Sequence, residues 1–111
     1  DVTRFKIVLG NLISNARQYA DWDKQNPFIK INYRKENGSL IVSVKDNGKG
    51  IQNDHLTKIF EMFFRIDNDA QGSGLGLYIV KEATEKMGGT IKVTSEKGVG
   101  SEFTISIPAA S

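Results

Sequence analysis

The stretch Asp46-Asn47-Gly48-Lys49-Gly50-Ile51 ends an apolar run on a carboxylate and follows it with two glycines. Further along, Gly72-Ser73-Gly74-Leu75-Gly76-Leu77 sets three glycines at the mouth of a second periodic apolar stretch. Asp46 shares the parity of Leu40, Val42 and Val44, so a strand that buries those residues turns the carboxylate inward as well. An inward carboxylate is costly unless it accepts hydrogen bonds. The exocyclic amino group of adenine would supply a donor, with water for the remaining lone pairs. The plainer alternative is an Asp-Asn-Gly hairpin turn, although residues 45–57 contain no obvious partner strand. Gly48 and Gly50 let backbone approach a flat ligand, or serve only the dihedrals of a loop.

Asn11 and Asn15 stand four apart beside a helical apolar stripe. Their amide oxygens are hard ligands of the kind that suits Mg²⁺, which takes few protein ligands and keeps phosphates and water. Two solvent-facing asparagines are the simpler reading, yet asparagine is a mediocre helix former and two in mid-helix ask for a reason. Gly72, Gly74 and Gly76 precede and open a helix, where backbone amides and the helix dipole favour an anion. A glycine hinge without ligand is the alternative. The spacing is not the dinucleotide fingerprint, and the Lys-Ser/Thr ending of a P-loop is missing. Phe60, Phe63 and Phe64 read as core or cover, because three exposed phenylalanines invite aggregation. His55, the one histidine, reads as a surface residue at a helix start.

These groups need elements to hold them. Phe5, Val8, Leu9, Leu12, Ala16 and Tyr19 predict an amphipathic helix over 3–19. Ile29, Ile31 and Tyr33 alternate with Lys30, Asn32 and Arg34, a strand by period two, and Asn37-Gly38 is a tight turn into the strand of Leu40, Val42 and Val44. A short helix is expected from residues 52–54 to about 59, then a polar loop. A second long helix over 73–87 carries Leu75, Ile79, Ala83 and Met87 on one stripe and stops at Gly88-Gly89. Strands over 91–95 and 101–107 close the chain, joined by Lys97-Gly98-Val99-Gly100. That order predicts an α+β fold, a two-layer α/β sandwich with helices on one face of a mixed, mostly antiparallel sheet.

Composition agrees. The 111 residues suit one domain with one core, and the 39% hydrophobic and 25% charged fractions are those of a globular protein. A net charge of +2 gives no argument for nucleic acid or a membrane surface. Without cysteine there is no disulfide, thiolate catalysis or cysteine metal site, which fits a reducing compartment. No apolar run approaches the roughly 20 residues of a membrane span. An opening on Asp1 rather than Met reads as a segment of a longer protein.

Taken in order, these elements resemble the catalytic ATP-binding domain of sensor histidine kinases, a Bergerat-type fold in the superfamily shared with gyrase. The resemblance spans essentially the whole chain. Asn11-Leu12-Ile13-Ser14-Asn15-Ala16 looks like the N box and the Asp46 segment like the G1 box. Ile59-Phe60-Glu61-Met62-Phe63-Phe64-Arg65 looks like the F box and the Gly72 segment like the G2 box. The resemblance implies ATP or ADP with Mg²⁺ as ligands. Asn15 would hold the metal with Asn11 beside it, and Asp46 would read adenine with Tyr19, Gly48, Gly50 and Ile51 around it. Gly74 and Gly76 would face the phosphates, with Gly72, Ser73, Leu75 and Leu77 also in the nucleotide site, and residues 66–71 would form a lid. It also implies partners: a phosphoacceptor histidine helix of the same or a partner protomer, and a response regulator beyond it. The parent would be a homodimer with its catalytic part in the cytoplasm, whether or not it is membrane-anchored, and the segment alone a monomer unable to phosphorylate itself.

The departures from that pattern matter. Where the family often has a lysine after Asn-Ala-x, this chain has Arg17-Gln18, so phosphate charge would fall to Arg17 or Arg65, with Gln18 an uncharged donor. The phosphoaccepting hairpin is absent, and His55 lies in the wrong segment to replace it. A gyrase- or chaperone-type hydrolase would place a general-base glutamate where Asn11 stands. An anti-sigma serine kinase would lack the F box. A degenerate domain that binds nucleotide without catalysis is the remaining alternative.

Overall fold

The computed structural model describes residues 2–61 and 76–108. Its elements run α1 (Val2–Gln18), β1 (Ile29–Glu36), β2 (Ser39–Asp46), a 3-10 turn (Asn53–His55), α2 (Gly76–Lys86), β3 (Thr90–Glu96) and β4 (Gly100–Pro108). The strands form one sheet in the order β1-β2-β4-β3. Each described pairing is antiparallel. With the two helices on one face, the expected two-layer sandwich is borne out.

Local sequence explains each element. Val8, Leu12 and Ala16 recur every four residues and are the buried side of α1. Asn37 and Gly38 both take positive φ, 52° and 80°, the turn that lets two right-twisted strands meet without splaying. At the end of α2, Gly88 enters the left-handed region at φ 77°. The Gly89 amide then donates to the Thr84 carbonyl over 2.9 Å and the Gly88 amide to Glu85 over 3.0 Å. Those paired bonds satisfy the last carbonyls of the helix and stop it where Gly88-Gly89 predicts.

The register sorts the inward face of the sheet into rows. Tyr33, Val42, Ile105 and Ile91 make one row, and Ile31, Val44, Phe103 and Val93 the next. Val42, Val44, Phe103 and Ile105 join Val8, Leu12, Ala16, Val80 and Ala83 in the core. Fully burying such an aliphatic or aromatic side chain contributes about 1.5–3 kcal/mol. The following row is Ile29, Asp46, Ser101 and Ser95, so the apolar face ends in three polar side chains.

Four expectations need correction. The stripe of α2 is turned by one residue: Val80, Ala83 and Thr84 are buried, while Ile79 is exposed. This helix packs on the sheet and along α1 at once, so its buried arc centres between those two contacts. The expected short helix is only the 3-10 turn, continued by turns in which Ile59 donates to the His55 carbonyl at 3.1 Å. His55 itself is half-buried there, not at the surface. On β1 the alternation marks the strand correctly, but Ile31 and Tyr33 stay 46% and 80% exposed because they lie beyond the cover of the helices. Phe60 packs edge-on against Phe103, ring centroids 6.2 Å apart, as its core reading expects.

Candidate functional site

The polar end of the inward face holds Asp46 and the glycine-bearing loop that follows it. Asp46, the last residue of β2, is only 5% exposed. Its Oδ1 accepts the Gly48 amide at 2.8 Å. Burial pushes the carboxyl above the usual carboxylate range, opposed by hydrogen bonds from the amides of Gly48 and Ser101 and by the charge of Lys24. A carboxylate has about four lone-pair sites, so two amide donors leave it acceptor capacity for an incoming donor.

The loop after Asp46 is held from both sides. Toward α1, the Lys49 amide donates to the Tyr19 carbonyl at 2.9 Å. Asn47 takes the Phe28 amide on its Oδ1 at 2.8 Å and donates its Nδ2 to the Asn26 carbonyl at 2.9 Å. Toward the β3–β4 turn, the Gly98 amide donates to the Lys49 carbonyl at 2.7 Å. The Ile51 amide donates to Ser95 Oγ at 2.8 Å, and Ile51 is itself buried. A Cβ at Gly48 would collide with the Tyr19 carbonyl, and one at Gly50 with the Glu96 carbonyl. Gly50 also sits at φ 71°. Gly48 and Gly50 are thus required by the protein's own backbone, which passes too close for a side chain at either position.

Asn11 and Asn15 are half-buried on α1. Asn11 Nδ2 donates to the Ile7 carbonyl at 2.8 Å, which leaves its Oδ1 as the outward acceptor. That oxygen would lie 3.3 Å from a Cβ at Gly76, the first described residue of α2. One face of α1 and the start of α2 are thus brought together, with an amide oxygen between them. Tyr19 is half-buried just past α1, and Leu77 half-buried in α2. Arg17 and Gln18 are exposed in the last turn of α1, with Arg17 roughly 160° round the helix from Asn15. Arg65, Gly72, Ser73, Gly74, Leu75 and the expected lid lie outside the described residues.

Sequence reasoning missed the residues that brace this site: Lys24, Asn47, Ser95 and Ser101. Two serines of core parity flanking a glycine-bearing turn were the available signal for the last pair. Nothing in the polar run around Lys24 marks it out.

The chain resembles known proteins over its whole length. The profile described as histidine kinase-, DNA gyrase B-, and HSP90-like ATPase matches residues 1–111. The aerobic respiration control sensor protein ArcB of Escherichia coli is 38% identical over 117 residues, covering 100% of this chain and 14% of ArcB. The sensor protein SrrB of Staphylococcus aureus is 39% identical over 112 residues, covering 97% of this chain and 19% of SrrB. Among solved structures, full-length ShkA in complex with AMPPNP superposes with a TM-score of 0.84 at 32% identity, over 97% of this chain and 22% of ShkA. Fold and sequence define one class of protein: the chain belongs to the histidine kinase-, gyrase B- and HSP90-like ATPase family. Its relatives within that family are sensor histidine kinases, and the chain spans less than a fifth of the length of the two sensors compared. No described helix is long and apolar enough to cross a membrane.

Proposed function

We propose that this chain is one catalytic domain that binds Mg·ATP and presents the γ-phosphate to a histidine on a separate helical element of a two-component sensor kinase. The observation that carries the reading is Asp46, buried at the end of β2 beside a glycine whose added Cβ would collide with neighbouring backbone. Adenine fits that position, because its amino group donates to the carboxylate while Gly48, Gly50, Ile51 and Tyr19 surround the ring. The phosphates then run toward Asn11, Asn15 and the start of α2, where Gly76 and Leu77 open the helix and residues 72–75 precede it. A helix N-terminus favours such an anion.

The residues also suit Mg²⁺. Among the described residues no cluster of three or more histidine, cysteine, aspartate or glutamate side chains could form a protein cage. The amide oxygens of Asn15 and Asn11 match an ion that keeps phosphate and water as its main ligands. Bound there, the metal would neutralise phosphate charge. Arg17 lies round the helix from Asn15, so Arg65 is the proposed basic partner of the phosphates, with Gln18 an uncharged donor. The Asn11 amide has no proton-accepting group to activate water, which supports transfer over hydrolysis. The parent, in this reading, is a homodimer with a cytoplasmic catalytic end, and a response regulator takes the phosphate onward.

Titration of the chain with ADP and Mg·AMPPNP tests binding, and incubation with labelled ATP and a histidine-bearing helical domain of the parent tests transfer. Ligand at about a hundred times its dissociation constant should stabilise the fold by roughly 2.7 kcal/mol. No saturable binding at millimolar nucleotide would reject the reading. Label appearing on the chain alone would reject the separation of donor and acceptor.

A further inference from the structure

Lys24 stands among Asp21, Asp23, Gln25 and Asn26. The structure gives it a fixed place. The Asp21 carboxylate accepts the Asp23 amide at 3.1 Å, and the Asp21 carbonyl accepts the Lys24 amide at 3.2 Å. That turn aims the lysine stem back at the sheet. Its Nζ donates to the Gly48 carbonyl at 3.0 Å and to the Val99 carbonyl at 3.0 Å. Two of the three ammonium donors are thereby spent on backbone. The bonds reach across 24 and 75 residues of sequence, so one side chain joins three segments: the α1–β1 connection, the loop after Asp46, and the β3–β4 turn.

We propose that Lys24 is a positioning residue for the base end of the nucleotide site, fastening the Gly48 carbonyl to the Val99 carbonyl and so holding Asp46 in place as a hydrogen-bond acceptor. The inference rests on the reading of Asp46 as the adenine-binding residue. Two features of the geometry support it. The Gly48 amide is already bonded to Asp46 Oδ1, so holding the Gly48 carbonyl fixes the peptide units on both sides of that residue. Among the described residues, Lys24 is also the charged side chain that acts on Asp46, whose carboxyl takes hydrogen bonds from the amides of Gly48 and, on β4, Ser101; its register partner on β1 is the apolar Ile29. Removing the cation leaves the desolvation of Asp46 less opposed, so protonation sets in at higher pH.

The test compares the wild-type chain with Lys24→Met and Lys24→Arg. ADP affinity is measured by calorimetry from about pH 4.5 to 8. Amide exchange at Lys49 and Gly98 is read without ligand. Lys24→Met should weaken ADP by about ten-fold at neutral pH. It should move the acid limb of the affinity profile to higher pH and speed exchange at both amides. Lys24→Arg keeps a charge and a forked donor, and should restore the limb and most of the affinity. A merely structural lysine would lower affinity alike at every pH. Wild-type affinity and limb in Lys24→Met overturn the proposal. If Lys24→Met does not fold, a Lys24→Arg protein with a displaced limb overturns it equally. A wild type that binds no ADP defeats the adenine reading itself, and faster exchange in Lys24→Met would separate that failure from a loop that Lys24 does not hold.

Discussion

The backbone amide of Gly48 donates to Asp46 Oδ1 over 2.8 Å, two residues on from the carboxylate it holds. The bond orients the side chain at the end of β2 while the carboxylate keeps further acceptor capacity for a ligand. Asp46→Asn keeps size and this hydrogen bond, and removes the charge. A hydrogen bond to a charged group contributes roughly 1.5–3 kcal/mol, so ADP should bind about ten- to a hundred-fold more weakly. Guanine presents an acceptor where adenine presents its amino donor, so the wild type should reject GTP and the variant much less. Titration of both proteins with ATP and GTP analogues measures the two effects together.

The same substitution should stabilise the ligand-free protein near neutral pH. Burial raises the Asp46 carboxyl above its unfolded value. The folded state therefore holds the proton more tightly, and the stability linked to it is complete below the unfolded pKa. It is lost as pH rises through the folded pKa. Asp46→Asn carries no such loss. Thermal melts from acid to neutral pH should show the variant gaining on the wild type as pH rises, and a gap that does not change with pH would contradict this origin.

Glycine substitutions should separate by position. Gly48→Ala and Gly50→Ala drive a methyl into the Tyr19 and Glu96 carbonyls, and Gly50 carries positive φ besides. Each should cost about 1–3 kcal/mol or more, a fall of roughly 4–8 °C in Tm per kcal/mol. Gly10→Ala meets nothing within 4 Å on the exposed side of α1, and should stabilise by about 0.5–1 kcal/mol. Melting curves of the three variants decide it.

Asn15→Ala should distinguish metal from pocket. The side chain is half-buried on α1. Mg·ATP affinity should fall about ten-fold or more, and metal-free ADP affinity by less than about two-fold. Equal losses in the two titrations would assign Asn15 to the pocket wall.

The sequence carried Asp46 because period two is rigid: once Val42 and Val44 are buried, the next residue of that parity has no other side to face. Helix α1 was legible by its own period, since Val8, Leu12 and Ala16 recur every four residues, and the stop at Gly88-Gly89 has a direct backbone cause. Ile79 was misplaced because a helix that packs on two neighbours buries an arc, and its centre depends on where the neighbours stand. Lys24 was invisible because its partners lie far along the chain, at Gly48 and Val99, and the bond from Ile51 to Ser95 spans the chain likewise; those contacts exist only after the strands have paired.

Ser95 gives the sharpest stability test, because its hydroxyl is fully used. It donates to the Gly100 carbonyl at 3.0 Å and accepts the Ile51 amide at 2.8 Å. With its one proton on Gly100, the 2.7 Å contact with Ser101 Oγ has Ser101 as donor. Ser95→Ala strands the partly buried Ile51 amide and should cost about 1–3 kcal/mol. Ser101→Ala removes a donor and leaves Ser95 with its other two bonds, so it should cost about 1 kcal/mol. The two residues share one network, so the double variant should fall short of the sum by about 0.5 kcal/mol or more. Since the Ile51 amide follows directly on Gly50, Ser95→Ala should also loosen the loop and weaken ADP a few-fold, while Ser101→Ala changes binding less. Denaturant unfolding of the two single variants and the double, with an ADP titration of each, measures the cycle. Strict additivity would mean the 2.7 Å contact between the two hydroxyls carries no coupling.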